Sequence, residues 1–256
     1  MIAYFDTGAF DSLYRRDGCT AADVAALRKS IYGRGLAMAL SVHHLEELVL
    51  ARRVAPQALS AQIRFTLSLA SLRSLLKPSA DLLFDEIRAY ATSGAAGSPF
   101  LHGPMADAIS AGVAELVESD GEEIGEEFTG ALERARRTRV KLSGAIMRAR
   151  AAAAASADDP IAAATRALAE SAGALADCDR RGIDGLLRLR VVRMAAGVAA
   201  APAPPPTLEH AIAAAARAET IVSADSDLRE LIDRLALEGL AARDLPAFLT
   251  TVRGAE

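Results

Sequence analysis

Aromatic residues are scarce in this chain of 256 residues: they make up 4% of it, and tryptophan is absent. Hydrophobic residues nevertheless make up 52%, and the mean hydropathy is +0.20. That is ample material for a core, so a disordered chain is excluded. Because alanine and leucine supply most of it, we expect a globular protein of closely packed helices with a small sheet.

Cysteine is nearly absent as well. The chain has only two, Cys19 and Cys178, and neither stands in a spacing typical of metal sites. Two cysteines are too few for a disulfide framework, which excludes the class of small secreted proteins held together by disulfides. We interpret them as ordinary buried thiols in a reducing compartment.

Long apolar runs are also missing. No uninterrupted apolar segment reaches about 18 residues, the length that a membrane-spanning helix needs. No basic region precedes the apolar residues at the amino end, and Asp6 interrupts them early, unlike a signal peptide. The expected location is therefore the cytoplasm, without a membrane partner.

The chain lacks an excess of positive charge: its net charge is −4 and its pI is about 5.7. No overall field draws such a protein to nucleic acid, which argues mildly against an RNA partner. Any contact with RNA must come from local basic patches.

What the sequence does contain is a set of acidic residues at the ends of predicted strands. Short apolar runs at residues 1–5, 36–42 and 219–224 predict buried strands. In a parallel α/β sheet the carboxyl ends of such strands lie along one edge. The acids that follow them are Asp6, then Glu46 and Glu47, then Asp225 and Asp227.

Clustered carboxylates repel one another, so they are stable together only if protons or hard cations neutralise them. Mg²⁺ or Mn²⁺ suits ligation by oxygen alone and also binds phosphate oxygens. Taken singly, each acid is better explained as a helix cap than as a metal ligand. The alternative is therefore an α-rich protein whose acids only cap helices.

The composition also changes along the chain. Residues 92–104 are rich in Gly, Ser and Pro, an Ala- and Arg-rich helical region follows, and a proline-rich stretch occupies residues 201–206. We predict a discontinuous α/β domain of residues 1–97 and 201–256, with an all-helical insertion at 98–200. Within it, residues 121–155 predict one or two long helices with a basic run of Arg134, Arg136, Arg137, Arg139 and Lys141.

Further strands are predicted at residues 72–76 and 242–248, and a helix carrying Glu46 and Glu47 is predicted to reach Arg53. Pro56 is expected to break that helix. His43 and His44, at its beginning, are expected to pack or to cap the helix rather than to act as bases.

Three segments resemble, in order, the first, second and last acidic motifs of PIN-domain nucleases, a family that includes the VapC-type toxins of bacterial toxin–antitoxin pairs. They are Ile-Ala-Tyr-Phe-Asp-Thr at residues 2–7, the segment 41–48, and Thr-Ile-Val-Ser-Ala-Asp-Ser-Asp-Leu at residues 220–228. The resemblance covers roughly residues 1–95 and 200–252. It implies a three-layer α/β/α fold with a central, mainly parallel sheet. It also implies an Mg²⁺- or Mn²⁺-dependent endoribonuclease that hydrolyses RNA phosphodiester bonds, as a toxin or defence protein with an antitoxin or other protein partner.

Carried over residue by residue, the resemblance makes Asp6 and Asp225 direct metal ligands, with Asp227 in support. In the second motif it favours Glu47 over Glu46. The two cannot point the same way, because adjacent helical residues diverge by about 100°.

The sequence departs from the family in two respects. The position of a third acid falls on Thr207, although Glu209 lies two residues on as a substitute donor and His210 matches a histidine of many relatives. A missing acid leaves open a catalytically degenerate, PIN-like binding or scaffold protein. The other departure is the helical insertion, which could cover the acidic groove, hold RNA through its basic run, or bind a protein partner or a second copy in a homodimer.

Overall fold

The computed structural model describes residues 1–50, 55–202 and 208–254. It shows a mixed α/β protein with one five-stranded, entirely parallel sheet in the order β3-β2-β1-β4-β5. The strands are β1 (Ile2–Phe5), β2 (Ala37–Ser41), β3 (Leu75–Leu76), β4 (Thr220–Val222) and β5 (Ala241–Arg243).

Helices fill the rest of the described chain. Before β4 they are α1 (Thr7–Arg15), α2 (Ala21–Tyr32), α3 (Val42–Leu50), α4 (Pro56–Leu67), α5 (Ser79–Ser93), α6 (Pro104–Glu118), α7 (Glu126–Ala155), α8 (Pro160–Ser171), α9 (Leu175–Arg181), α10 (Ile183–Leu187), α11 (Arg190–Ala200) and α12 (Leu208–Arg217). After it come α13 (Ser226–Leu235) and α14 (Leu245–Gly254).

The order of the strands reverses beside β1. The chain adds β2 and β3 on one side of β1 and then returns to add β4 and β5 on the other. Ala3 is in register with Met38 of β2 and with Thr220 of β4. All five carboxyl ends therefore share one edge, and open α/β sheets bind ligands where the order reverses.

The strands predicted before the acidic residues are present as β1, β2 and β4, but two other predictions were wrong in extent. The strand predicted at 72–76 is reduced to two residues after a 3₁₀ turn, Leu72–Ser74. The strand predicted at 242–248 ends at Arg243, and Pro246 stands in the first turn of α14, where a missing N–H costs nothing.

Pro56 also begins α4 at its first position instead of only ending the helix before it. The predicted end of that earlier helix at Arg53 lies outside the described residues. Helix α9 was not predicted, because seven residues are too few to show a clear apolar period.

Side chains alternate between the two faces of the sheet, and each face carries its own core. Tyr4 and Ile221 point into one, the Tyr4 core, which also contains residues of α5, α8, α11, α12 and α13. Phe5 and Val222 point into the other, the Phe5 core, which contains residues of α1, α2, α4, α6 and α14. Helices on both faces of one sheet are compatible with a three-layer arrangement.

Helix α7 belongs to both cores. Leu132 and Ala135, in its first half, are buried in the Phe5 core, and Leu142 and Ala145 are buried in the Tyr4 core. The helix therefore crosses from one face of the sheet to the other, with Arg139 between the two halves. The division at residues 98–200 stays a prediction. Between Pro104 and Ala200, every regular element is a helix. In the parts of the chain that the structure covers, no helix has the length and apolar character to cross a membrane.

Candidate functional site

Asp6 lies at the carboxyl end of β1 and is buried, with 4% of its surface exposed. Its backbone N–H donates to the carbonyl of Val222 in β4, at 3.1 Å, so sheet pairing continues into this residue. One carboxylate oxygen, Oδ1, accepts the N–H of Ala9 at 2.7 Å and caps α1. Asp6 is therefore both the N-cap of α1 and an acidic residue at the carboxyl edge of the sheet.

His44 ties the beginning of α3 to β1. Its Nδ1 accepts the backbone N–H of Ser41 at 3.1 Å, so the proton sits on Nε2, which donates to the carbonyl of Phe5 at 2.6 Å. Burial lowers the pKa of His44 to about 3, so the imidazole is neutral. This is the capping and packing role expected from the sequence.

The hydroxyl of Tyr4 lies at the centre of the site. It is 2.8 Å from Ser41 Oγ and 2.7 Å from His210 Nδ1. Burial raises the pKa of Tyr4 well above its ordinary value, and the negative charges of Glu47, Asp6 and Glu209 raise it further. The carboxylates of three separate segments therefore act on one buried phenol through their charge.

Glu47 lies beside His210, which also contacts Thr7. His210 Nε2 is 3.4 Å from its Oε2 and 3.3 Å from the hydroxyl of Thr7. Burial alone would raise the pKa of Glu47, but the hydrogen bonds from His210 and Thr7 outweigh it and lower that pKa to about 2. Glu47 is therefore ionised throughout the physiological range.

Glu46 is more deeply buried than Glu47, with 3% of its surface exposed. The backbone N–H of Ser79, at the start of α5, donates to His43 Nε2 at 3.0 Å. The proton of His43 is therefore on Nδ1, which donates to Glu46 Oε2 at 3.3 Å. Glu46 therefore contacts His43 and Glu47 contacts His210, although both carboxylates also lie beside the same nitrogen of Arg139.

Arg139 of α7 lies beside both Glu46 and Glu47. Its Nη2 lies 3.3 Å from Glu46 Oε2 and 3.5 Å from Glu47 Oε1, and its Nε lies 3.7 Å from Glu209 Oε1. We call Arg139 with these three glutamates the Arg139 cluster. A guanidinium is always charged, so one permanent cation sits among three carboxylates.

The sequence indicated a basic run but not this inward contact. Arg134, Arg136, Arg137 and Lys141 are exposed, whereas Arg139 is only partly so. A signal was present: Arg139 stands four residues after Ala135 and three before Leu142, on the buried stripe of α7. Tyr4 and Ser79 were missed, since nothing local sets them apart from ordinary core or cap residues.

The acids after β4 make local contacts. Asp225 is half-buried and accepts the N–H of Leu228 at 3.1 Å as the N-cap of α13. Asp227 is exposed in the first turn of that helix. Both follow the strand beside β1, at the same edge as Asp6. Thr207, the position expected for a third acid, lies outside the described residues.

The chemistry of this donor set, carboxylate oxygens from several segments, fits a hard cation such as Mg²⁺ or Mn²⁺. The arrangement of the side chains does not hold one as it stands. Within residues 1–50, 55–202 and 208–254, no three His, Cys, Asp or Glu side chains are grouped to bind a metal ion. One carboxylate oxygen each of Glu46, Glu47 and Glu209 lies beside Arg139, and the other oxygen of Glu47 lies beside His210.

Comparison of the chain with protein families, with curated proteins and with solved structures finds no match. Its function therefore has to be inferred from the residues at this edge of the sheet.

Proposed function

We propose that this protein is a PIN-like, Mg²⁺- or Mn²⁺-dependent endoribonuclease that hydrolyses RNA phosphodiester bonds. The observation that carries the proposal is the placement of Asp6 and Glu47 at the carboxyl edge, beside the reversal of strand order, with Glu47 linked through His210 to the hydroxyl of Tyr4. Such an edge is where open α/β sheets bind ligands, and carboxylates there are the donors that a hard cation takes.

In this proposal Asp6, Glu47 and Asp225 hold the metal ion, with Asp227 or Glu209 in support. A bound metal ion would supply an activated water and neutralise charge on the phosphate. The protein's own contribution is to keep the carboxylates ionised and in place. Thr7 and His210 do so for Glu47, and the hydrogen bonds of His44 fix the exit of β1 against α3.

The exposed cations of α7 are suited to binding the phosphates of RNA. Arg134, Arg136, Arg137 and Lys141 stand on the helix that passes the carboxyl edge. Exposed basic side chains supply the phosphate contacts on which binding of nucleic acid depends, despite the negative net charge. The family resemblance adds an antitoxin or another protein as a partner and a role as a toxin or defence protein in the cytoplasm.

The first prediction is that neutralising the acids abolishes cleavage. Single-stranded and structured RNA are incubated with Mn²⁺ and wild type, Asp6→Asn, Glu47→Gln or Asp225→Asn. We expect each variant to lose about a hundredfold or more of the cleavage rate, because the charge that holds the cation is removed.

Glu230→Gln is the matched control, since it removes an exposed carboxylate of α13. It should cleave like wild type. Equal rates in all the proteins, or no cleavage of either RNA with Mg²⁺ or Mn²⁺, would contradict the proposal.

A second candidate is a non-catalytic PIN-like protein that binds through its helical segment. One observation favours it: the guanidinium of Arg139 already pairs with three carboxylates. This candidate predicts that Mn²⁺ does not bind even when Arg139 is replaced, and that RNA or a protein partner is bound but not cleaved.

A further inference from the structure

We infer that Arg139 is an internal counter-cation that closes the proposed metal site from within the same chain. The inference rests on the proposed function and adds a mode of regulation to it. In the closed state, helix α7 presents the guanidinium of Arg139 to Glu46, Glu47 and Glu209, and the metal ion can enter only when that side chain leaves.

The competition follows from charge and from a shared residue. The guanidinium lies 3.3 Å from Glu46 Oε2 and 3.5 Å from Glu47 Oε1. Glu47 is also a ligand of the proposed metal site, and the positive charge of the guanidinium a few ångströms away would repel a divalent cation bound there. Arg139 and a metal ion therefore compete for Glu47.

The backbone of Arg139 is fixed, whereas its side chain is partly exposed to solvent. Ala135 and Leu142, on either side of it along the buried stripe, are fully or almost fully buried. The side chain of Arg139 itself is 31% exposed. Opening the site thus needs only a rotation of this long side chain towards solvent, and α7 stays in place.

The contact is also imperfect, which favours release. The Nε of Arg139 is buried without a hydrogen-bond partner, since the nearest oxygen of Glu209 is 3.7 Å away. A buried donor without an acceptor carries a cost. Arg139 therefore holds the carboxylates less firmly than a fully hydrogen-bonded arginine would.

The experiment measures Mn²⁺ binding alone, by calorimetry and without RNA, in wild type, Arg139→Gln and Arg139→Met. We expect both variants to bind Mn²⁺ at least about tenfold more tightly than wild type, because the competing charge is gone. Arg139→Met preserves the packing of the stem if the glutamine variant is poorly folded.

Arg148→Gln is the control, because it removes a cation of the same helix whose guanidinium contacts Ser171. It should bind Mn²⁺ like wild type. Adding Glu47→Gln to Arg139→Gln should abolish the gain. Folded Arg139 variants with the affinity of wild type would overturn the inference.

The two proposals fail in different ways. Tighter Mn²⁺ binding by Arg139→Gln without any cleavage of RNA would support the counter-cation role of Arg139 and contradict the nuclease activity. Cleavage of RNA by wild type, with Mn²⁺ affinity unchanged in both Arg139 variants, would support the nuclease activity and contradict the counter-cation role.

Discussion

At the scale of single residues, Glu86 is a buried carboxylate that lies outside the proposed site and is stabilised by the start of a helix. It lies on α5, and its Oε2 accepts the N–H of Val192 at 3.0 Å, in the first turn of α11. Free N–H groups at a helix start favour a negative charge. Burial nevertheless raises the pKa of Glu86 to about 7, although the N–H groups of Val192 and Val191 and the charge of Arg190 lower it.

This shift predicts how stability changes with pH. The pKa of Glu86 is raised in the folded state, so its contribution to the free energy of unfolding is complete below its unfolded pKa of 4.5. That contribution is lost as pH rises through the folded pKa of about 7. Between pH 5 and pH 8 this residue alone should cost about 2–3 kcal/mol of the free energy of unfolding.

Glu86→Gln keeps an oxygen for Val192 and removes the charge. It should match wild type at pH 5 and exceed it at pH 8, as measured by urea unfolding at several pH values. Glu170→Gln, at an exposed position of α8, is the control and should follow wild type. Profiles of wild type and Glu86→Gln that run parallel from pH 5 to pH 8 would refute this account.

At the scale of elements, the contact between α6 and α7 depends on a glycine. A Cβ on Gly112 would lie 2.2 Å from the Cβ of Phe128, far inside contact distance. Phe128 is 1% exposed and cannot yield easily. Gly144, in the second half of α7, has open surroundings: a Cβ there would meet only Arg148 Nη1, at 3.6 Å.

The two glycines therefore predict opposite effects of the same substitution. Gly112→Ala should lower the free energy of unfolding by about 1–3 kcal/mol, because the added methyl overpacks the helix contact. Gly144→Ala should raise it by about 0.5–1 kcal/mol, since alanine loses less entropy in a helix. Urea unfolding of both variants decides the matter, and a stable Gly112→Ala would show that the helices can separate without cost.

At the scale of the whole molecule, α7 makes the two cores parts of one structure. Leu132 is buried in the Phe5 core and Leu142 in the Tyr4 core, ten residues apart on one helix. Loss of packing in either core disturbs the helix that the other core needs. We therefore expect the two faces of the sheet to unfold together.

Leu132→Ala and Leu142→Ala should each lower the free energy of unfolding by about 2–5 kcal/mol. Both should still unfold in one transition, with the same midpoint for circular dichroism and tyrosine fluorescence. Val140→Ala, at a position 76% exposed on the same helix, should change stability by less than about 0.5 kcal/mol. Two separate transitions in either leucine variant would mean that the cores are independent.

Much of the fold could be predicted because its signals are local. Apolar runs followed by acids marked β1, β2 and β4, and the capping box of Thr20 and Asp23 at the start of α2 is a local signal of the same kind. Short segments carried less information. The last predicted strand included the beginning of α14, because a few apolar residues cannot distinguish a strand from a helix.

The positions of these acids along the chain were determined by the sequence alone, since each lies only a few residues after its own strand. What neutralises them was decided only by the tertiary structure. Arg139 is 92 residues from Glu47, and His210 is 163 residues from it. Such pairs form only when packing brings distant segments together. The inward turn of Arg139 depends on α7 burying its flanking residues in both cores. The sequence therefore contains the carboxylates of the proposed metal site, and the fold places a cation of the chain's own beside Glu46, Glu47 and Glu209.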